Sequence, residues 1–204
     1  GLNPLGKLPG SVWTIATEPL KVPDHLGIDH FAAFPTEWPR RIVQGWSPAG
    51  ICTACGEGRR PVVDRERMNG RLAVAGPMFQ PGQRTETADG KRHQFQTAAT
   101  ITGEACACPE PTAPTRPGVV LDPFGGTGTT ALVADALGRH GISVDMSADY
   151  CRLAGWRTTD PKQRLKQDAF NWTCPRCRAR KGQRCEKGVC PARVRLAERA
   201  GALL

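Results

Sequence analysis

The sequence predicts an α/β fold: a parallel-strand core, a cysteine-stapled insertion and a small cysteine-rich tail. Three observations carry this. The apolar run Val119-Val120-Leu121 ends in Asp122-Pro123-Phe124 and a glycine cluster, then passes into an Ala- and Leu-rich helical pattern from Thr129 to Leu137. A second apolar run, Gly141-Ile142-Ser143-Val144, closes on Asp145. The cysteines gather at short spacings, Cys52 and Cys55 with Cys106 and Cys108, then Cys174, Cys177, Cys185 and Cys190. At 204 residues and 39% hydrophobic content the chain suffices for one ordinary domain with a small appendage.

In chain order, residues 1 to 50 are rich in Pro, Gly and Trp, with Ser11 to Ile15 as a short strand. His30 to Pro35 reads as a turn, and a helix is expected from Glu37 onward. The chain opens Gly-Leu-Asn-Pro with neither a basic flank nor an apolar h-region, which predicts no signal peptide. A start at Gly1 in loop-like sequence is what a fragment or a processed piece would present. No apolar run approaches the roughly 18 residues of a membrane span, so no membrane partner is expected. Residues 57 to 104 are polar, without clear periodicity, and carry Arg59, Arg60, Arg65, Arg67 and Arg71. They read as an insertion on a stem stapled by residues 51–109. Cys151 follows Tyr150 in a helical pattern and is expected to be a buried apolar residue. A last helix is expected from Pro191 to Ala200.

The stretch from Val119 to Thr130 has the chemistry of a ligand loop. Gly125, Gly126 and Gly128 permit positive φ and let a ligand lie against the backbone, while the helix starting near Thr129 offers free N–H groups. A phosphate-cradling loop would need a Gly-Lys-Ser/Thr ending, and no lysine occurs between Lys91 and Lys162. The dinucleotide fingerprint would place a third glycine where Ala131 stands. Asp145, roughly 20 residues past the glycines, sits where an acid accepts hydrogen bonds from a ribose. That suits a nicotinamide dinucleotide or an adenosyl sulfonium.

The wording Asp122-Pro123-Phe124-Gly125-Gly126-Thr127-Gly128, followed by Ala136-Leu137-Gly138-Arg139-His140 and Val144-Asp145, resembles the cofactor loop of DNA amino-methyltransferases. The likeness extends to Ser11–Ile15 and to the stretch His30-Phe31-Ala32-Ala33-Phe34-Pro35, similar to the segment ahead of the glycine loop in the permuted, beta-class enzymes. It covers about residues 8 to 55 and 104 to 157. The resemblance implies a Rossmann-like S-adenosylmethionine-dependent methyltransferase fold with only part of its sheet and a zinc-ribbon-like insertion. It implies that Asp122, Phe124, Gly125, Gly126, Thr127 and Gly128 wrap S-adenosylmethionine and that Asp145 holds its ribose. It further implies that a helix starting near the His30-Phe31 pair, with Pro35, covers the methionine end. Read without the resemblance, such a histidine is more often a hydrogen-bonded structural residue than a ligand contact.

Thiolate pairs at these spacings can place sulfurs tetrahedrally around Zn²⁺. Cys52, Cys55, Cys106 and Cys108 form one candidate site, with a disulfide as its rival. Cys174, Cys177, Cys185 and Cys190 form a second, in a segment so small that metal would supply most of its stability. This tail resembles short zinc fingers of actinobacterial and phage proteins, with Cys190 standing where those carry a histidine.

Charge points to an acidic polymer as partner. From Pro161 to Leu204 there are 12 Lys and Arg against 3 acids, whereas the preceding residues balance at 16 against 16. A neutral body with a basic tail predicts DNA as partner, and Arg193, Arg195 and Arg199 of the last helix are candidate phosphate contacts. The expected organisation is 1–50 covering the cofactor, 51–109 the stapled insertion, 110–160 the cofactor-binding core and 161–204 the basic finger. The resemblance implies methylation of adenine N6 or cytosine N4, of the restriction–modification kind, in the cytoplasm of a bacterial or phage-infected cell.

Catalysis is where the likeness departs. The family holds the flipped base with an Asp/Asn/Ser-Pro-Pro-aromatic tetrapeptide, no Pro-Pro pair occurs in this sequence, and Asn3-Pro4-Leu5-Gly6 is no substitute. No catalytic residue is therefore assigned. A catalytically silent zinc-containing DNA-binding module on a degenerate scaffold stays open as the alternative. With the upstream half absent, the strand at Val119 is expected to have a bare edge and the isolated chain to be poorly soluble.

Overall fold

A computed structural model describes residues 10–29, 33–72, 85–86, 92–109, 112–179, 185 and 190–200, with the backbone course alone given within 65–99. The chain divides into two compact units, Gly1–Trp13 with Arg60–Ala105, and Thr14–Arg59 with Cys106–Leu204.

The second unit begins as an irregular strap containing a single 3-10 turn, Asp24–Leu26. Ser11 to Ile15 forms no strand, and Val12 is 86% exposed. Its apolar alternation finds no neighbouring strand, and an isolated strand does not hold its own backbone. Helix α1 (Glu37–Trp46) starts well after His30 and Phe31, which lie outside the described residues. The start is set at Thr36, whose N–H and hydroxyl both donate to Glu18 Oε2, at 2.9 and 2.7 Å. Strand β1 (Gly50–Cys52) follows.

The first unit is a hairpin that the sequence did not announce. β2 (Arg60–Leu72) runs antiparallel to β4 (Arg92–Ala105), and the two-residue β3 (Thr85–Glu86) pairs with β4. Register shifts at Val62/Val63 and Arg67/Arg71 mark bulges. Thirteen residues of strand span roughly 40 Å. The hairpin's residues show no period-2 hydrophobic pattern in the sequence, which is why periodicity missed it.

Back in the second unit, β5 (Thr115–Pro117) pairs antiparallel with β1. Strand β6 (Val119–Asp122), helix α2 (Thr129–Ala136) and strand β7 (His140–Ser143) make a βαβ unit with β6 and β7 parallel, Val119 opposite His140 and Asp122 opposite Ser143. Helix α2 is buried on consecutive residues, Ala131 to Ala134, because it is packed by α1 and by both strands as well as by α3 (Ala148–Thr159) and α4 (Pro161–Asp168). Strand and helix meet closely at Gly141, where a Cβ would lie 2.6 Å from Ala131 Cα. The close helix–strand approach that the dinucleotide fingerprint builds with its third glycine is here built from the strand side.

The opposite face of this two-stranded sheet is open. Val119, Leu121, Ile142 and Val144 are 51, 60, 38 and 52% exposed. Parallel sheets are ordinarily covered on both faces. Among the described residues β6 pairs with β7 alone.

The tail packs on the core through α4, the turn Ala169–Asn171 and α5 (Pro191–Arg199), where Leu165, Ala169 and Ala197 form a small cluster with Trp172 and Val194. Among the described residues no helix is long and apolar enough to cross a membrane.

Candidate functional site

The glycine loop is held from three sides. Gly125 N–H donates to Val144 O at 2.8 Å, fastening the loop to the end of β7, and Val144 N–H returns to Asp122 O at 3.0 Å. A Cβ at Gly125 would lie 1.8 Å from Ser143 Oγ. At Gly128, with φ +73°, it would lie 2.7 Å from Ala154 Cβ of α3. Both positions therefore demand glycine. Gly126, with φ +49°, faces open space, so a ligand can reach its backbone there.

The two acids picked from the sequence flank that opening. Asp122 Oδ1 accepts from Phe124 N–H at 3.1 Å and Oδ2 from Thr130 Oγ1 at 2.6 Å, tying the first residue of the loop to the first turn of α2. Asp145 Oδ2 accepts from Gly126 N–H at 2.8 Å and Oδ1 from Ser147 N–H at 2.9 Å. Asp145 thus braces the loop across the strand ends while remaining half-buried. Phe124 is 88% exposed beside it. Pro35 is half-buried two residues ahead of α1, its carbonyl accepting from Trp38 N–H at 3.1 Å.

Arg157 was not foreseen. This α3 residue is buried, and its Nη1 donates to Thr127 O at 3.1 Å, Thr127 Oγ1 at 2.8 Å and Thr129 Oγ1 at 2.7 Å, locking the underside of the loop. The sequence signal was faint: an arginine on the same helical face as Leu153 and Ala154. Cys151, expected to be buried, is exposed, its thiol donating to Asp145 O at 3.5 Å. Its helix turns Leu153, Ala154 and Arg157 inward, and Cys151 lies off that face.

All nine cysteines are free thiols, and eight fall into two groups. The sulfurs of Cys52, Cys55, Cys106 and Cys108 all lie within 4.8 Å of one another, with Cys52 and Cys108 3.8 Å apart. Four sulfurs about 2.3 Å from a tetrahedral Zn²⁺ stand about 3.8 Å apart, so the donor set fits the ion. Backbone N–H groups of Cys55 and Ala54 aimed at Cys52 lower its thiol to about 6. The neighbouring sulfurs of Cys55, Cys106 and Cys52 push Cys108 up to about 12. In the second group Cys174, Cys185 and Cys190 converge within the same limit, and Cys177 stands exposed outside that threesome. Cys177 still acts on it: its backbone N–H is the main cause lowering Cys174 to about 6. Burial, then the sulfurs of Cys177 and Cys174, raises Cys185 to about 11.

Arg193, expected on a phosphate, is fully buried instead. Its Nε donates to Trp172 O at 2.6 Å, its Nη1 lies 4.0 Å from Cys185 Sγ, and its guanidinium stacks over Phe170 at 5.4 Å. Arg40 of α1, also buried, lies over Phe170 at 5.0 Å and donates to Gln167 O at 3.0 Å. The thiol cluster is thus joined to the core through two arginines and one ring. On α5, Arg195 and Arg199 remain exposed.

The comparison with known proteins bears on the same loop. Residues 112–155 match the DNA methylase family. The matched span runs from ahead of β5 through the glycine loop and Asp145 into α3, and it supports a DNA methyltransferase in general. No solved structure matches the chain.

Proposed function

We propose that this chain is the cofactor-binding portion of a DNA methyltransferase that uses S-adenosylmethionine to methylate adenine N6 or cytosine N4. The observation that carries the proposal is the loop braced open at Gly126 by Asp145, inside the span that matches the DNA methylase family. An adenosyl group would lie beside the exposed Phe124, and Asp145, whose two oxygens each accept one N–H, has acceptor capacity left for ribose hydroxyls. Asp122, Thr127, Gly125 and Gly128 hold the loop in shape, and the resemblance assigns the methionine end to His30, Phe31 and Pro35. When bound, S-adenosylmethionine supplies an electrophilic methyl group. The chain's own task is to bind and orient it.

Both cysteine groups hold Zn²⁺ in this reading, and DNA is met by the basic surface, including Arg195 and Arg199. A two-stranded antiparallel ribbon such as β2–β4 is one of the shapes that a DNA major groove admits. The open apolar face of β6 and β7 supports the view that further sheet or helix completes the domain. One observation favours a second reading, a catalytically silent DNA-binding module: the sequence has no Pro-Pro pair to hold a flipped base.

Calorimetric titration of the chain with S-adenosylmethionine is the test. Saturable binding, weakened at least tenfold in Asp145→Asn, is expected. Absence of binding to a cooperatively melting, zinc-loaded chain would overturn the cofactor reading. Binding without methyl transfer to DNA would favour the silent module.

A further inference from the structure

A buried cation behind the glycine loop lines a cavity of its own. Arg157 is 5% exposed, and its Nε is buried without a hydrogen-bond partner. It lines a hollow of about 570 Å³ between the strap ahead of α1 and the α3–α4 corner. Lys21, Lys162 and Lys166, all exposed, share that lining. The two acids of the wall are already engaged. Glu18 accepts two hydrogen bonds from Thr36, and Asp160 accepts from Gln163 N–H at 2.9 Å as the cap of α4. Burial pushes the Arg157 guanidinium down from its ordinary value, with the charge of Glu18 opposing. A buried guanidinium is costly, and Glu18, which already holds Thr36, offsets that cost only in part.

We propose that this cavity binds a phosphate group, held by Arg157 within and by Lys21, Lys162 and Lys166 at the rim. Its occupancy is transmitted to the glycine loop through the bonds from Arg157 to Thr127 and Thr129. A guanidinium presents a planar fork of donors that matches phosphate oxygens; in Arg157 Nη1 is committed to the loop and Nε is closed off, which leaves Nη2 as the donor for a phosphate in the hollow. The site stands whether or not the loop binds S-adenosylmethionine. A nucleic-acid phosphodiester and a small phosphate compound offer the same oxygens, and the two sources are separated by competition.

The experiment uses the whole chain. Thermal melting in inorganic phosphate is compared with melting in chloride at equal ionic strength, and phosphate is expected to raise the midpoint by about 2–4 °C. The exposed triple variant Lys21→Gln/Lys162→Gln/Lys166→Gln should lose most of that rise. Equal midpoints in the two salts, or a rise undiminished in the triple variant, would overturn the site. Amide exchange at Gly126 to Thr130 should slow in phosphate for the parent chain. In Arg157→Lys, which keeps a charge but not the fork, the slowing should vanish while a melting shift remains. Slowing that persists in Arg157→Lys would overturn the transmission. Displacement of phosphate by duplex DNA, followed by the ³¹P line width, assigns the site to the nucleic-acid backbone, and failure to displace assigns it to a small phosphate compound.

Discussion

The two cysteine knuckles share one backbone turn and differ in almost everything built on it. In the first, Cys52 N–H donates to Glu57 O at 2.8 Å and Gly56 N–H to Cys52 O at 2.9 Å. In the second, Cys174 N–H donates to Ala179 O at 2.8 Å and Arg178 N–H to Cys174 O at 2.9 Å. The residue after the second cysteine is left-handed in both, Gly56 at φ 76° and Arg178 at φ 57°. Each turn lowers its first thiol to about 6 by pointing N–H groups at it. The first then draws its other sulfurs from Cys106 and Cys108, stapling the segments that enter and leave the hairpin. The second draws Cys185 and Cys190 into a packed corner under Arg193, Phe170 and α5. The same local chemistry thus serves as a clamp in one place and as part of a core in the other.

Removing the first ligand of each knuckle should break this comparison most visibly. Cys174→Ser should lose one of two zinc equivalents and lower the melting midpoint by about 10 °C or more, because α5 depends on that corner. Cys52→Ser should also lose one equivalent but leave the melt of the β6–α2–β7 core nearly in place. Zinc content and calorimetry on the same samples check both, and equal losses of stability would erase the distinction. Next in size is Arg193→Met, which strips the second knuckle of its buried cap and orphans Trp172 O. A cost of about 3 kcal/mol in denaturant unfolding is expected.

Acidity sharpens the likeness instead. A thiol lowered in the fold stabilises it above the ordinary thiol range, near pH 9, and that contribution falls away as pH drops through about 6, which applies to Cys52 and Cys174. Cys108 and Cys185 are raised, so their contribution is present below the ordinary range and is lost as pH climbs through about 12 and about 11. At pH 7.5 both sites should therefore release protons as Zn²⁺ enters, seen as a buffer-dependent heat, and both should lose affinity steeply below pH 6. The smallest effect is at the left-handed position. Arg178→Gly should stabilise the tail by about 1 kcal/mol and Gly56→Ala should destabilise the first knuckle by a similar amount, both read by denaturant midpoints.

The elements that could be read from the sequence are those with their own punctuation. β6, the glycine loop, α2, β7 and the position of Asp145 follow from apolar runs broken by Asp, Pro and Gly, and the structure brings them together. The first cysteine group and three of the four members of the second, Cys177 being the exception, followed from spacing. What escaped depends on distant partners. The β2–β4 hairpin is polar in composition and its sequence shows no period. Ser11 to Ile15 has a strand's composition but no neighbour to pair with. Arginine is a surface residue by default, so the burial of Arg40, Arg157 and Arg193 became visible only once their carbonyl, hydroxyl and ring partners were in place. Asp145 was legible as an acid near a ligand, but its bond to Gly126 N–H, which shapes the loop, was not.

Helix α2 is gripped by both strands and three helices, and the glycine loop is hinged to its first turn. That end of the loop cannot breathe without disturbing the best-buried backbone in the unit. The entry end is tied down as well, through Phe124 N–H to Asp122 and Gly125 N–H to Val144 O, so the exposed Phe124 ring is the part of the loop left to adjust to a ligand.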